Sequence, residues 1–384
     1  MAIATLDPER QKRAREYART RRRLWAGEVV AGAAYLALWV GLGWGIRLRQ
    51  AIAPVAAGGL LPLELPWWAG LLLSALALAG PWFVLFFPVD FYAGFILPHR
   101  YQLSTQTLGG WLSDLVKGGL LSLALGTPLL LGLYLALRLA PRTWWLWAGG
   151  GDVLFAVILA GLGPVLIMPI FNKLEPLGEE HADLRQRLVV LASAAGARVE
   201  GVYTSDVSRR TRAANASLAG IGRTRRILLG DTLLSEFTTD EIETVLAHEL
   251  AHHVHKDIPL SLLTQAISVF VSFWLASVVL TWGVERLTLT GLADPAGLPL
   301  LALLLGGIEL VSLPLANAFS RWRESLADDF ALRLTRKPEA FASAMARLAN
   351  QNLAEADPEP WVVFLLHSHP PLHARIEKAN SFFP

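Results

Sequence analysis

The sequence predicts a mainly α-helical membrane protein of about six spans, with a water-exposed domain that carries a small β-sheet. Three observations predict it. Only 17% of the 384 residues are charged and 53% are hydrophobic, whereas soluble domains carry about a quarter charged residues. Several apolar runs reach the roughly 20 residues that a hydrocarbon core requires. One long polar stretch, residues 172–256, interrupts them. Net charge is only +2, which implies no nucleic acid or other acidic partner. The chain has no cysteine, which removes disulfides, thiolate metal sites and cysteine nucleophiles.

The first 23 residues hold eight Lys/Arg, and residues 24–46 are then apolar. That apolar run is too long for a signal peptide, so it predicts an anchor with a cytoplasmic N-terminus. Further spans are expected at about 66–88, 118–139, 147–171, 258–284 and 298–319. Six spans put both termini and the polar stretch on one side, and the N-terminal basic cluster makes that side cytoplasmic. The expected organisation is therefore a membrane domain (1–171), a catalytic subdomain (172–257), a two-span hairpin (258–319) and a C-terminal segment (320–384). Trp67, Trp68, Trp144, Trp145 and Trp147 read as interfacial belts.

In the polar stretch, Leu184, Leu188, Leu191 and Ala195 share one helical face over residues 183–195. Strands are expected at 199–204, 213–219 and 226–230, the last two joined by a glycine-rich turn at 220–224. Thr238 and Glu241 form a capping-box pattern, so a helix starts there. Asp257 is expected to cap the next helix, with Pro259 in its first turn.

The capped helix contains HELAHHVHKD, residues 248–257. His248 and His252 lie one turn apart on one face, the spacing at which two imidazoles reach one zinc ion. Glu249 is rotated about 100° away, where a general base toward water belongs rather than a ligand. By chance the HExxH pattern arises in about one chain of this composition in a hundred. His253 and His255 point off that face and read as ordinary surface residues. A catalytic zinc needs a third protein ligand and an open fourth position. Glu324 in RESLADDFAL is the best candidate, because two spans return the chain to the same leaflet. Asp328, one turn further on, could hold a zinc histidine in place.

These motifs resemble the type I CAAX prenyl endopeptidases, integral-membrane zinc proteases related to the heat-shock membrane proteases. The similarity extends through PIFNK at 169–173, Ser208-Arg209-Arg210, Asn215-Ala216 and RILL at 226–229. It continues through Asn317, Arg321, Glu324 and Asp328, then Trp361, HSHPPL at 367–372 and Arg375. The resemblance implies a gluzincin-like zinc protease domain with one Zn²⁺ per chain, Glu324 as third ligand and a peptide or membrane-protein substrate in the lipid bilayer. It further implies that Asn215 and Ala216 pair with an extended substrate, that His369 stabilises the oxyanion and that Arg375 shapes the substrate site. It also implies a water-filled intramembrane chamber. Eukaryotic members have seven spans where six are counted here, and Ser217 stands where an aromatic is common.

Glu309 in the middle of the last span, with Gln265 and Asp152, could line such a chamber, form a transport path or bond between helices. Two other functions therefore stay open beside prenyl-type processing. One is a quality-control protease acting on membrane proteins. The other is a transporter or receptor with a structural zinc, although such a site prefers four protein ligands and has no use for a base. Nothing in the sequence speaks to the oligomeric state.

Overall fold

The computed structural model describes residues 5–56, 66–220 and 225–383. Among these, six helices are long and apolar enough to cross a membrane. They are α1 (Pro8–Gly41), α3 (Trp67–Arg100), α4 (Leu108–Leu139), α5 (Trp144–Leu162), α9 (Asp257–Arg286) and α10 (Leu298–Thr335, preceded by a turn from Pro295). A short helix α2 (Trp44–Ala56) lies between the first two.

Most of these helices run past their apolar segments. α10 has 38 residues, about 57 Å at 1.5 Å per residue, against a hydrocarbon core of about 30 Å. Its first part is the span, and its second part carries Glu324 and Asp328. The compositional boundary at 319/320 thus falls inside one continuous helix. α3 contains a wide turn at Tyr92–Ile96, and another follows α5 at Gly163–Ile167. Each sits just before a proline, Pro98 or Pro169, whose missing N–H frees the carbonyl four residues back.

The apolar windows of the six helices are only 6% to 17% buried, so most of their side chains face lipid or an internal space. They do meet at one end. Leu71, Tyr134, Leu137, Trp144, Ala276, Leu280, Leu300 and Leu301 form a core there. Beside it Arg49 pairs with Asp294, which also accepts from the N–H and hydroxyl of Thr290 at 2.8 and 3.0 Å. The other end opens toward the polar domain.

That domain contains a four-stranded sheet of β1 (Leu174–Pro176), β2 (Gly201–Ser205), β3 (Ala216–Ala219) and β4 (Arg226–Gly230). The order is β1-β2-β4-β3, with β2 and β4 parallel and the outer pairs antiparallel, so β3 is an edge. Helix α6 (Ala182–Ala194) and helix α8 (Thr239–Val254), which follows the short α7 (Asp231–Glu236), pack with α11 (Pro338–Gln351) and, beyond the short α12 (Pro360–Leu366), with α13 (Leu372–Asn380) around one core. Leu188, Ile227, Leu229, Leu233, Leu246, Leu250 and Phe341 are fully buried in it. The capping box forms: Thr238 Oγ1 accepts from Glu241 N at 3.3 Å, and Glu241 Oε2 accepts from Thr238 N at 2.7 Å.

Three sequence expectations change here. The strand expected at 213–219 begins only at Ala216. Ala214 N instead donates to Asn352 Oδ1 at 2.8 Å, which pulls the preceding backbone toward α11. Of its expected joint to β4, residues 221–224 lie outside the described residues. β1 is an addition. Asp257 does not cap α9 but is its first residue, after Lys256 at φ 55°, ψ 42°. Its carboxylate is occupied elsewhere.

Candidate metal centre

Helix α8 places the HExxH residues. Its apolar face is buried on all sides by the domain core, which fixes its rotation and turns His248 and His252 toward α10. Their rings lie 5.0 Å apart at 89°. Opposite them stands Glu324 of α10. His248 Nε2 is 3.1 Å from Glu324 Oε2, and His252 Nε2 is 3.5 Å from Glu324 Oε1. One ligand atom from each of the three lies within 4.8 Å of the others, the one such group among the described residues.

The protonation pattern around them matters more than the distances. His248 Nδ1 faces Asp328 Oδ1 at 2.9 Å, and Asp328 is 1% exposed. His252 Nδ1 faces Asp257 Oδ2 at 2.7 Å. A neutral imidazole that donates Nδ1–H to a carboxylate presents a lone pair at Nε2. Both Nε2 atoms then point their lone pairs at the Glu324 carboxylate. Glu324 Oε2 is buried and, among the described residues, has no hydrogen-bond partner despite the 3.1 Å approach. Acceptors converging on a buried point require a cation there. A proton is the poorer substitute. Burial disfavours charge on His248, yet Asp328 and Glu324 more than offset it and push the imidazole up to about 9. The donor set of two imidazoles and one carboxylate fits a catalytic divalent metal with an open position.

A cleft of about 730 Å³ opens beside His248 and is lined by Glu249, Asn215, Ala216, His369 and Arg22, among others. Burial pushes the Glu249 carboxyl up. Burial also pushes His369 down, so its imidazole is neutral near pH 7. Its Nε2 is 3.4 Å from Glu324 Oε1, and Ser368 Oγ is 2.9 Å from its Nδ1. The segment that delivers it is tied to α10: Arg321 Nη1 donates to the carbonyls of Val363 and His367 at 2.8 and 2.6 Å, and Asn317 Nδ2 to that of Leu365 at 2.7 Å.

Arg375 lines the cleft but does not use its charge there. It is 7% exposed, and its Nε and Nη2 donate to the two oxygens of Asp328 at 2.9 and 2.6 Å. It buttresses the carboxylate behind His248. Asp257 is the residue sequence reasoning missed. Its signal was an aspartate five residues after the second histidine, assigned instead to a helix cap. His253 and His255 stay off the metal face, with His255 against Phe330 at 5.6 Å. Among the intramembrane polar residues, Glu309 and Glu28 line a cavity of about 440 Å³ between α1 and α10. Asp152 lines another of about 700 Å³ among α4, α5 and α9.

Known proteins supply a second line. A model of peptidase family M48 matches residues 179–382, and one described as the CAAX prenyl protease N-terminal, five membrane helices, matches residues 2–173. Within the second range four of the long apolar helices occur, with the 13-residue α2 beside them. An uncharacterized metalloprotease of Bacillus subtilis, YhfN, is 32% identical over 76% of this chain and 69% of its own length. The CAAX prenyl protease 1 of Saccharomyces cerevisiae is 30% identical over 75% of this chain and 67% of its own. The crystal structure of S. mikatae Ste24p superposes with a TM-score of 0.85 at 23% identity, over 98% of this chain and 90% of that one, and so shares its fold. With one family model on each side of residue 175 and the fold shared along nearly the whole chain, this protein belongs to peptidase family M48 as a multi-pass membrane metalloendopeptidase of the CAAX prenyl protease 1 type.

Proposed function

We propose that the chain uses zinc, held by His248, His252 and Glu324, to cut peptide bonds in substrates that arrive in extended form at the membrane. The observation that carries the reading is the convergence of the His248 and His252 Nε2 atoms on the Glu324 carboxylate, whose Oε2 has no hydrogen-bond partner among the described residues, beside a cleft that contains Glu249. Zinc, when bound, supplies Lewis-acid chemistry: it lowers the pKa of water to about 7 and polarises a carbonyl. Glu249 takes the proton from the attacking water on its carboxylate and returns it to the leaving amine. Its raised pKa suits both halves of that task. His369 donates from Nε2–H to the developing oxyanion, with the Ser368 hydroxyl donating to Nδ1 in that tautomer. Asn215 and Ala216, at the start of edge strand β3, pair with the substrate backbone by β-augmentation. For this last role the support is that edge position and their place in the cleft wall.

The substrate class we propose is that named for the yeast relative, a CAAX-type prenyl protein, with the catalytic end on the cytoplasmic side. Damaged membrane proteins are the rival substrate. Peptides trapped by an inactive variant and identified by mass spectrometry separate the two. For sidedness, cysteines introduced at Ser193 and Ala293 are the probes. An impermeant thiol reagent applied to intact cells should label only position 293, and labelling at 193 would place the site outside.

The central test is Glu249→Gln. Gln is nearly isosteric and lies off the ligand face, so zinc should stay at about one per chain while cleavage of a fluorogenic peptide falls roughly 10²- to 10⁴-fold. Undiminished cleavage by zinc-loaded Glu249→Gln protein would remove this mechanism. A transporter with a structural zinc forecasts that result. Glu324→Ala should lose most of its zinc in the same metal analysis.

A further inference from the structure

The two histidines of the candidate centre are held by matching three-residue chains. Behind His248 stand Asp328 and Arg375. Behind His252 stand Asp257 and Arg323. Asp257 Oδ2 faces His252 Nδ1 at 2.7 Å, and Arg323 Nε donates to Asp257 Oδ1 at 2.8 Å. Arg323 Nη2 also reaches Asp257 Oδ1, and it donates to the His255 carbonyl at 3.2 Å. The Arg323 guanidinium lies 5.1 Å over the Trp322 ring.

The backbone is shaped to make this contact. α8 ends at Val254, and Lys256 takes a left-handed conformation, φ 55° and ψ 42°. A non-glycine residue adopts that region at a cost, and only when its surroundings enforce it. Here the two residues between the helices bring Asp257, 8% exposed, to the ring that α8 has just presented. Arg323 closes the turn from the neighbouring helix by gripping its carbonyl and its carboxylate together.

We infer that Asp257 and Arg323 are positioning residues that set the tautomer and ring orientation of His252 as a metal ligand, and that the turn at Lys256 exists to bring Asp257 under it. The assignment rests on the metal site proposed above. His252 is the ligand for which this matters most, because its side chain is 26% exposed where that of His248 is 9%. A buried imidazole is held by its packing. A half-open one can swing, and only a bond to Nδ1 keeps Nε2 aimed at the metal. The Asp257 charge also makes the imidazole a stronger donor to the metal, the general effect of a carboxylate behind a ligating histidine. Arg323 in turn fixes the Asp257 rotamer and offsets the cost of burying its charge.

The test is zinc affinity of the full-length protein in detergent, by competition with a chromophoric chelator. Asp257→Ala should bind zinc about 10- to 100-fold more weakly than wild type. Asp257→Asn keeps an acceptor for Nδ1–H and loses the charge, so it should fall between them. Arg323→Met should weaken zinc in the same direction but less, and adding it to Asp257→Ala should cost little more. Cobalt(II) loaded into Asp257→Asn should show shifted visible absorption bands, which a change remote from the ligands would not produce. Melting of the metal-free proteins separates positioning from simple folding: whatever each variant loses there for the broken Asp257–Arg323 pair, the Asp257 variants should lose zinc affinity out of proportion to it. Wild-type affinity in both Asp257 variants, or a loss that tracks a lowered metal-free melting temperature, would overturn the inference. A wild-type protein that binds no zinc would instead sink the metal site itself.

Discussion

Helices α8 and α9 are consecutive, two residues separate them, and they are stabilised in opposite ways. Ten of the 16 residues of α8 are buried, including Glu241, Glu243 and His248. Only four of the 30 residues of α9 are buried. α8 lies in water and must cover itself with protein, so tertiary packing dictates which way each side chain points. α9 is covered by the bilayer, where Ile258, Leu263 and Ile267 can stay more than half exposed without cost. His248, Glu249 and His252 sit on the element whose rotation is over-determined, and the adaptable element is left to sit in lipid.

The contrast can be broken most severely in the core. Leu246→Ala removes a fully buried side chain of α8 and should cost about 2–5 kcal/mol. Equilibrium denaturation in detergent should show it. A loss below about 1 kcal/mol would mean that α8 is held by the membrane helices instead.

A smaller effect concerns the charges on the buried helix. Burial alone would raise the Glu243 carboxyl, but hydrogen bonds from Arg187 and Lys337 hold it below its ordinary value of 4.5. Burial likewise opposes ionisation of Glu241, and Ser343, the Thr238 N–H and Arg347 outweigh it. Both folded pKa values are depressed, so the stabilisation is complete above the ordinary carboxylate range. It is lost as pH falls through the lower, folded values. The contribution of these two carboxylates should therefore be flat above about pH 5.5 and decline below about pH 4.5. Glu243→Gln should shrink that decline, and an unchanged decline in the variant would assign it to other groups.

Smaller still is the cap. Thr238→Ala should destabilise by about 1 kcal/mol. Least of all, Val311→Ala on the lipid-facing part of α10, where Val311 is 78% exposed, should stay within about 0.5 kcal/mol. A larger loss at Val311 would reveal a protein partner covering that face.

The same contrast explains what could be read from the sequence. α8 was legible because its signals are local: a capping pair three residues apart and two histidines four apart. The six spans were legible because the bilayer imposes a length. Glu324 needed a fold-level argument, the return of the chain after two spans. Asp257 was misread because its partner depends on a left-handed residue, and Lys256 gives no sign of one where glycine would have. Arg375 was placed on the substrate side by family likeness. The structure turns its guanidinium to Asp328, a contact 47 residues away that no spacing rule encodes. β1 went unseen because three residues ending in proline show no alternation.

The 38-residue helix α10 makes the carboxylate at position 324 the far end of a lever whose fulcrum lies in the hydrocarbon. Glu324 is some 16 residues, about 24 Å, beyond the middle of the span. Rotating such an arm by about 5° sweeps its tip through about 2 Å, a distance comparable to one metal–ligand bond. Mismatch between a span and the bilayer is met in part by helix tilt, so such an arm carries any change of tilt in the span out to the carboxylate at position 324. Pro314 lies between the two parts of the arm. There the missing N–H provides a joint, and the transmission is looser than that of a straight rod.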